Sequence, residues 1–294
     1  MRNCAAGDWN VKILTDLARF LGVWLTCLVA QVAAGALAAT LVKIGDSAAP
    51  GPEPLSSSQA MLLVTGAYAV VLSLLARGLP LGFARKTGVL FSVLFGAGSL
   101  LSAAEAWFFR ESVHFPSGFM AALLISGPVA SLLASAGAAV MWRSAPSSDA
   151  SRLQVSGQKV ALLIALYVIL YCVAGYAIAW QSRDVRSFYE EGVVIAVPWL
   201  LLLQVARGAV WAWLAVLCAR FLDMGRFLRA GLAGLSFAVF MAVPLLYPSA
   251  VMPWSVRRIH FVELVAANLL FGFLAVTFLT GSRRGTTGEL SASS

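Results

Sequence analysis

The chain has 294 residues, of which 60% are hydrophobic and 12% are charged, and its formal net charge is +8. A soluble globular chain carries about 25% charged residues and about 45–50% apolar ones. The mean hydropathy of +0.86 marks more apolar surface than a water-soluble fold of this size could bury. The composition therefore excludes a soluble enzyme, a disordered chain and a nucleic-acid-binding domain, so we expect no nucleic-acid partner.

Long apolar runs predict an all-α integral membrane protein. A transmembrane helix needs roughly 20 mostly apolar residues to cross a hydrocarbon core of ~30 Å. Eight runs satisfy this length, at residues 18–42, 59–76, 87–108, 119–142, 159–180, 193–219, 230–247 and 259–280. The first run also has features of a signal peptide, but its length and the upstream Asp8 and Asp16 favour a membrane span.

The basic residues predict the orientation of the eight spans. Of the 21 Lys and Arg residues, fourteen lie on the side of the two termini and six on the other side, while Arg207 lies inside a span. The positive-inside rule then places both termini in the cytoplasm. We expect a bacterial-type inner-membrane protein whose partners are membrane lipids and, if it is a subunit, another membrane protein.

Similar segments at a nearly constant spacing predict an internal duplication. The stretches that begin at Ala67 and Val210 align at an offset of 143 residues. At this offset one Arg, one Leu and two Gly residues in and after the loop that follows the span match the same residue types in the other stretch. The chain's two histidines, His114 and His260, match at an offset of 146. These matches predict two parallel four-helix repeats, residues 1–150 and 151–294. The second ends in a short Gly-, Thr- and Ser-rich tail that is expected to be disordered.

Ionisable residues inside spans are the candidate functional residues. A charge near the bilayer centre costs at least ~2.5–3.5 kcal/mol on insertion scales, so such side chains normally face the bundle interior and are paired. We expect a polar pocket open to the outside, built from Glu105, Arg110, His114, Gln204, Arg207, His260, Glu263 and Asn268. From their estimated depths, we expect Arg207 to contact Glu263, with Gln204 and Asn268 as further hydrogen-bonding groups.

The histidines do not by themselves indicate a metal site. His260 and Glu263 have the i, i+3 spacing of a shared metal ligand on a helix, but two histidines without an H-E-x-x-H pattern are more typical of helix ends at the membrane interface. We therefore assign no metal, no cofactor and no catalytic residue from the sequence.

Three functions fit this pattern, and we expect the first of them, with the other two as alternatives. The first is a carrier or permease for a small solute or lipid, since parallel repeats and intramembrane charges are common in transporters. The second is a membrane enzyme that acts on a lipid or isoprenoid, with a carboxylate and His260 as acid and base. The third is a non-catalytic accessory subunit. A carrier should have polar residues along a cavity through the midplane, whereas an enzyme should have them at one depth beside a lipid-accessible cleft.

Overall fold

A computed structural model describes residues 3–45, 51–110, 115–145, 153–192 and 197–281 of the chain. Within these ranges the regular structure is helical, and eight helices are long and apolar enough to cross a membrane. This agrees with a multi-pass membrane protein. The spans are Val11–Leu41, Ser57–Gly78, Phe83–Phe108, Phe119–Met141, Gly157–Gln181, Pro198–Phe221, Arg226–Leu246 and Trp254–Gly281. Each predicted span overlaps one of them.

The helices are numbered in chain order. They are α1 (Asn3–Leu41), α2 (Ser57–Gly78), α3 (Phe83–Leu94), α4 (Leu101–Phe108), α5 (Phe119–Met141), α6 (Gly157–Ala177), α7 (Arg183–Gly192), α8 (Val197–Phe221), α9 (Arg226–Ala242) and α10 (Trp254–Thr280). A π-helical turn, Phe95–Leu100, joins α3 to α4 within one span, and a 3₁₀ turn, Val243–Leu246, follows α9. The short helix α7 lies between the fifth and sixth spans and was not predicted.

Local sequence signals fix where several helices begin. Ser56 and Gln59 form a capping box at the start of α2, in which each side chain bonds the other residue's backbone N–H. These two bonds satisfy donors that the first helical turn leaves open. The Ser156 hydroxyl accepts from the Lys159 N–H at the start of α6.

The two halves of the chain pack their spans in the same pattern. In the first half α1 packs on α2 and on α5, and α3 packs on α5; in the second half α6 packs on α8 and on α10, and α9 packs on α10. The halves meet through α2 against α9 and through α3 and α4 against α8. The second and third spans of each half therefore form these contacts between the halves.

Residues that align at the 143-residue offset occupy equivalent places. Gly82 is the N-cap of α3 and Gly225 is the N-cap of α9, with nearly equal backbone angles. Leu79 and Leu222, which follow α2 and α8, are both buried. A backbone hydrogen bond of 2.8 Å from Asp223 N–H to the Gly78 carbonyl links the two turns directly. His114 lies outside the described residues, so its predicted match with His260 has no structural counterpart to compare.

The bundle has two ends, which we name by the helices that begin and end there. The distal face is the end at which α1 and α4 finish and α2, α5 and α10 begin, and the proximal face is the opposite end. On the distal face the buried guanidinium of Arg257 pairs with Glu53 and donates to the Tyr247 carbonyl oxygen. This contact fastens the connection before α2 to the one before α10.

Candidate functional site

The centre of the candidate site is an ion pair between the two halves. Arg207 on α8 is 2% exposed, and its Nη1 lies 3.2 Å from Oε1 of Glu105 on α4, whose side chain is 37% exposed. The predicted contact between Arg207 and Glu263 is therefore wrong. Depth along the bundle axis was compatible with that contact, but the rotation of each helix about its axis decides which side chains meet. Here α4 packs directly on α8.

Glu263 belongs to a second group of polar side chains, which lies, like Arg207, in the second half of the chain. Its Oε2 lies 2.7 Å from Nδ1 of His260, one turn earlier on α10, and His260 Nε2 lies 3.3 Å from the Tyr189 hydroxyl on α7. An ionised carboxylate only accepts hydrogen bonds, so it favours the tautomer with the proton on Nδ1. In that tautomer Nε2 accepts from Tyr189, and the three side chains form a chain of hydrogen bonds.

The short helix α7 brings Tyr189 to this group by apolar docking. Val185 on α7 is fully buried against Val256 of α10 and Ala179, and Phe188 and Tyr189 pack around them. Burial first, and then the negative charges of Glu105 and Glu263, raise the pKa of Tyr189 above its ordinary value. Tyr189 therefore remains a protonated phenol at neutral pH and is a hydrogen-bond donor.

Two tyrosines of α6 lie between the ion pair and the histidine group. Tyr167 is buried, and its hydroxyl lies 3.5 Å from Oε1 of Gln204 on α8. Tyr171 lies one turn further along α6 and within electrostatic range of Glu105, Arg207, Glu263 and Tyr189. The tyrosines thus connect the predicted residues into one cluster. The sequence analysis did not include them, although a tyrosine in the middle of a span, away from the aromatic belt at the membrane interface, is itself an indication of a polar site.

The cluster contains buried donors without acceptors among the described residues. Arg207 Nε and Gln204 Nε2 are inaccessible and make no hydrogen bond there, and the equally inaccessible Arg207 Nη1 has only its ion-pair contact with Glu105. Buried polar groups are normally satisfied, so each exception needs a physical explanation. Guanidinium and amide N–H groups are the donors that bind carboxylate or phosphate oxygens.

Of the remaining predicted residues, Asn268 lies at the edge of the cluster. Asn268 is buried and donates to the Leu264 carbonyl oxygen, and with Glu263, Tyr167 and Tyr171 it lines a cavity of about 10 Å³. Such a space holds about one water molecule. Arg110 lies instead at the distal end of α4, where its guanidinium stacks 4.4 Å from the Trp107 ring centroid. His114 lies outside the described residues.

An apolar groove of about 500 Å³ runs beside the ion pair on the outer surface of the bundle. It is formed by the α4 end of the third span, by α5 and by α8, and its lining includes Ala104, Trp107, Trp199, Leu203 and Ala206. Ala104 is the chain neighbour of Glu105, and Ala206 is the neighbour of Arg207. The groove and the ion pair therefore adjoin at the same depth.

Comparisons with protein-family models, with curated proteins and with solved structures find no match to this chain. The functional argument therefore depends on the geometry of the cluster and the groove.

Proposed function

We propose that the protein is a membrane-embedded enzyme that acts on the anionic headgroup of a lipid. The main supporting observation is that buried, incompletely bonded donors of Arg207 and Gln204 lie at the depth of an apolar groove on the lateral surface, and that their chain neighbours Ala206 and Leu203 line this groove. A groove of this kind suits acyl or isoprenoid chains, and the donors suit the oxygens of a phosphate or carboxylate. Glu105, the half-exposed partner of Arg207, is the group that an incoming anion would replace.

His260 is the general base of this proposal. Glu263 orients the ring through Nδ1 and leaves Nε2 as an acceptor, where Tyr189 now donates. A substrate hydroxyl or a water molecule in the place of the Tyr189 hydroxyl could transfer its proton to Nε2, and Glu263 would stabilise the imidazolium that forms. This hydrogen-bonded order of nucleophile, base and orienting carboxylate is typical of acid–base catalysis.

The arrangement favours an enzyme over a carrier. The charged residues lie in one layer between the middle of the bundle and its distal face, and the cavity among them is about 10 Å³, whereas a carrier of an anionic solute needs its charged residues to line a larger cavity at the midplane. The carrier and the accessory subunit remain the competing proposals. We also propose that the chain lies in a bacterial inner membrane with its distal face outside, which the 14-to-6 basic bias supports.

We further infer that the two halves arose by duplication. The shared packing pattern and the equivalent N-cap glycines support this. The halves have since diverged, because Arg207 and the His260 group lie in the second half while Glu105 comes from the first.

The test uses protein purified in mild detergent, with bound lipids identified by native mass spectrometry. The purified protein is then incubated with vesicles of phosphatidylethanolamine, phosphatidylglycerol and a polyprenyl phosphate, and lipid masses are followed over time. We expect an anionic lipid to copurify and one lipid mass to change. Arg207→Gln should lose the bound lipid, and His260→Gln should retain it but stop the conversion.

Arg258→Gln is the matched control, since Arg258 is exposed on α10 and lies 4.0 Å from Asp184 on the protein surface. It should behave like the unaltered protein. Lipid that survives Arg207→Gln would contradict the binding site. Bound lipid without any change in mass would favour the accessory subunit, and solute uptake by proteoliposomes without lipid conversion would favour the carrier.

A further inference from the structure

The first four spans enclose a cavity. A cavity of about 220 Å³ lies among α1, α2, α5 and the span that contains the π-helical turn, and it reaches Pro244 and Tyr247 near the distal face. The corresponding interior of the second half is filled by an aromatic cluster, in which Trp211 lies 4.9 Å from Phe237 between ring centroids and Tyr167 lies 5.6 Å from Phe271.

The wall of this cavity combines hydroxyl groups with small residues. Its hydroxyl-bearing residues are Thr65, Tyr68, Ser99, Ser102, Ser126, Ser131 and Tyr247. Among the described residues, no charged side chain lines it. Two of its small residues permit close helix contacts: a Cβ on Gly127 would lie 2.8 Å from Cβ of Ser99, and Gly98 faces the Phe240 carbonyl oxygen. An uncharged, hydroxyl-lined wall favours an uncharged ligand that both donates and accepts hydrogen bonds.

The hydroxyl of Ser131, in the wall of the cavity, has no hydrogen-bond partner in the described part of the chain. Serines in helices commonly donate to the carbonyl four residues earlier, as Ser102 does to Gly98 at 2.7 Å. Ser131 is 4% exposed and lines the cavity, and no hydrogen bond links its hydroxyl to the described part of the chain. The Tyr247 hydroxyl also lines the cavity, and it is buried without a partner among the described residues. A buried hydroxyl without a partner is costly, so these hydroxyls take their partner from within the cavity.

The neighbouring π-helical turn is the second unusual feature. The turn Phe95–Leu100 carries Gly98 and Ser99 into the wall. π-Helical insertions are rare and frequently mark functional sites, because they displace the backbone from the regular helical ladder. The turn and the unpartnered serine come from different helices and point into the same space.

We propose that this cavity binds an uncharged, hydroxyl-bearing small molecule of the polyol class. Its volume corresponds to roughly seven water molecules at ~30 Å³ each and is smaller than the ~300–1,000 Å³ of pockets for drug-sized ligands. A small polyol fits the volume of the cavity, carries no charge, as its uncharged wall requires, and both donates and accepts hydrogen bonds, as the hydroxyl groups of the wall do. This proposal does not depend on the lipid headgroup site at Arg207.

The experiment measures the thermal unfolding temperature of the full chain in detergent with erythritol, myo-inositol or glycerol 3-phosphate. A polyol present at about ten times its Kd should raise this temperature by roughly 2–4 °C. Polyols also stabilise proteins by exclusion from their surface, and that effect should be equal in all variants. The specific signal is therefore the difference between the unaltered protein and Ser131→Leu, which fills the cavity.

Two further serine variants make the result decisive. Ser131→Ala removes only the hydroxyl and should weaken the polyol shift even if Ser131→Leu fails to fold. Ser135→Ala is the matched control, because Ser135 is a fully buried serine one turn further along α5 whose hydroxyl has no partner among the described residues and which does not line the cavity. It should keep the full shift, as should Arg207→Leu.

Equal shifts in the unaltered protein and in both Ser131 variants would overturn the proposal, since surface exclusion alone would then explain them. A shift with glycerol 3-phosphate as large as that with the polyols would overturn the assignment to uncharged ligands. Loss of the shift in Arg207→Leu would show that polyols act at the lipid site and would also overturn it.

Discussion

The guanidinium of Arg207 lies 3.2 Å from the carboxylate of Glu105, and this pair joins α8 to α4 across the boundary between the two halves. The partners are unequally placed, because Arg207 is 2% exposed and the Glu105 side chain is 37% exposed. Removing each partner therefore has a different consequence.

The first prediction concerns this asymmetry. Glu105→Leu leaves a buried guanidinium without its counter-charge, which costs on the order of 3–5 kcal/mol of unfolding free energy. Arg207→Leu leaves a carboxylate that reaches solvent or headgroups, so it should cost less. The double variant should resemble Arg207→Leu alone, measured as unfolding temperature in detergent.

The pair Arg207→Leu and Glu263→Leu is the control for that cycle. These residues make no ion pair with each other, so their effects should add within about 0.3–0.5 kcal/mol. Strong coupling between Arg207→Leu and Glu263→Leu, together with additive effects of Arg207→Leu and Glu105→Leu, would contradict the ion pair between Arg207 and Glu105.

The second prediction concerns the docking of α7. Val185→Asp places a charge in a fully buried apolar contact with Val256 and should release α7 from α10. Hydrogen–deuterium exchange of residues 183–190 should then rise by an order of magnitude or more, whereas Glu190→Gln, at an exposed position of α7, should leave it nearly unchanged. Slow exchange in Val185→Asp would show that other contacts hold α7.

The third prediction is a pH dependence at the same place. Burial and the charges of Glu105 and Glu263 raise the pKa of Tyr189 in the folded protein, while an undocked tyrosine titrates near ~10. The stabilisation from docking Tyr189 as a neutral phenol is thus complete below pH ~10 and declines above it. Exchange of α7 should increase above pH ~10, and Tyr189→Phe should remove that increase.

The fourth prediction tests the closest helix contact. A Cβ on Gly234 would meet the Leu269 carbonyl oxygen, and a Cβ on Gly272 would lie 2.6 Å from the Gly234 Cα. Gly234→Ala should force α9 and α10 apart and cost about 1–3 kcal/mol. Gly231→Ala, on the same helix with open space around it, should be neutral or slightly stabilising. Equal effects of the two changes on unfolding temperature would refute this contact.

The fifth prediction concerns topology. In a variant without cysteines, Ser58→Cys at the distal start of α2 should react with a membrane-impermeant thiol reagent on intact cells. Gln158→Cys at the proximal start of α6 should react only after permeabilisation. Both positions are exposed, so the reversed pattern would place the distal face in the cytoplasm.

The sequence alone determined the helical class, the eight spans and the polar residues that a bilayer makes costly. These features depend on composition along the chain, because every backbone polar group in an apolar solvent must be satisfied within its own helix. Span positions were accurate to within a few residues at most ends. The first span began seven residues earlier than predicted, at Val11 rather than residue 18.

Only the tertiary structure decided which polar residues meet. Arg207 pairs with Glu105 rather than Glu263, and Tyr189 reaches His260 from a helix outside the spans. Helix rotation and neighbour choice set these contacts, and they follow from packing of small and large residues over the whole bundle. The hollow interior of the first half has the same origin, because a cavity depends on how side chains from several helices fail to fill a common space.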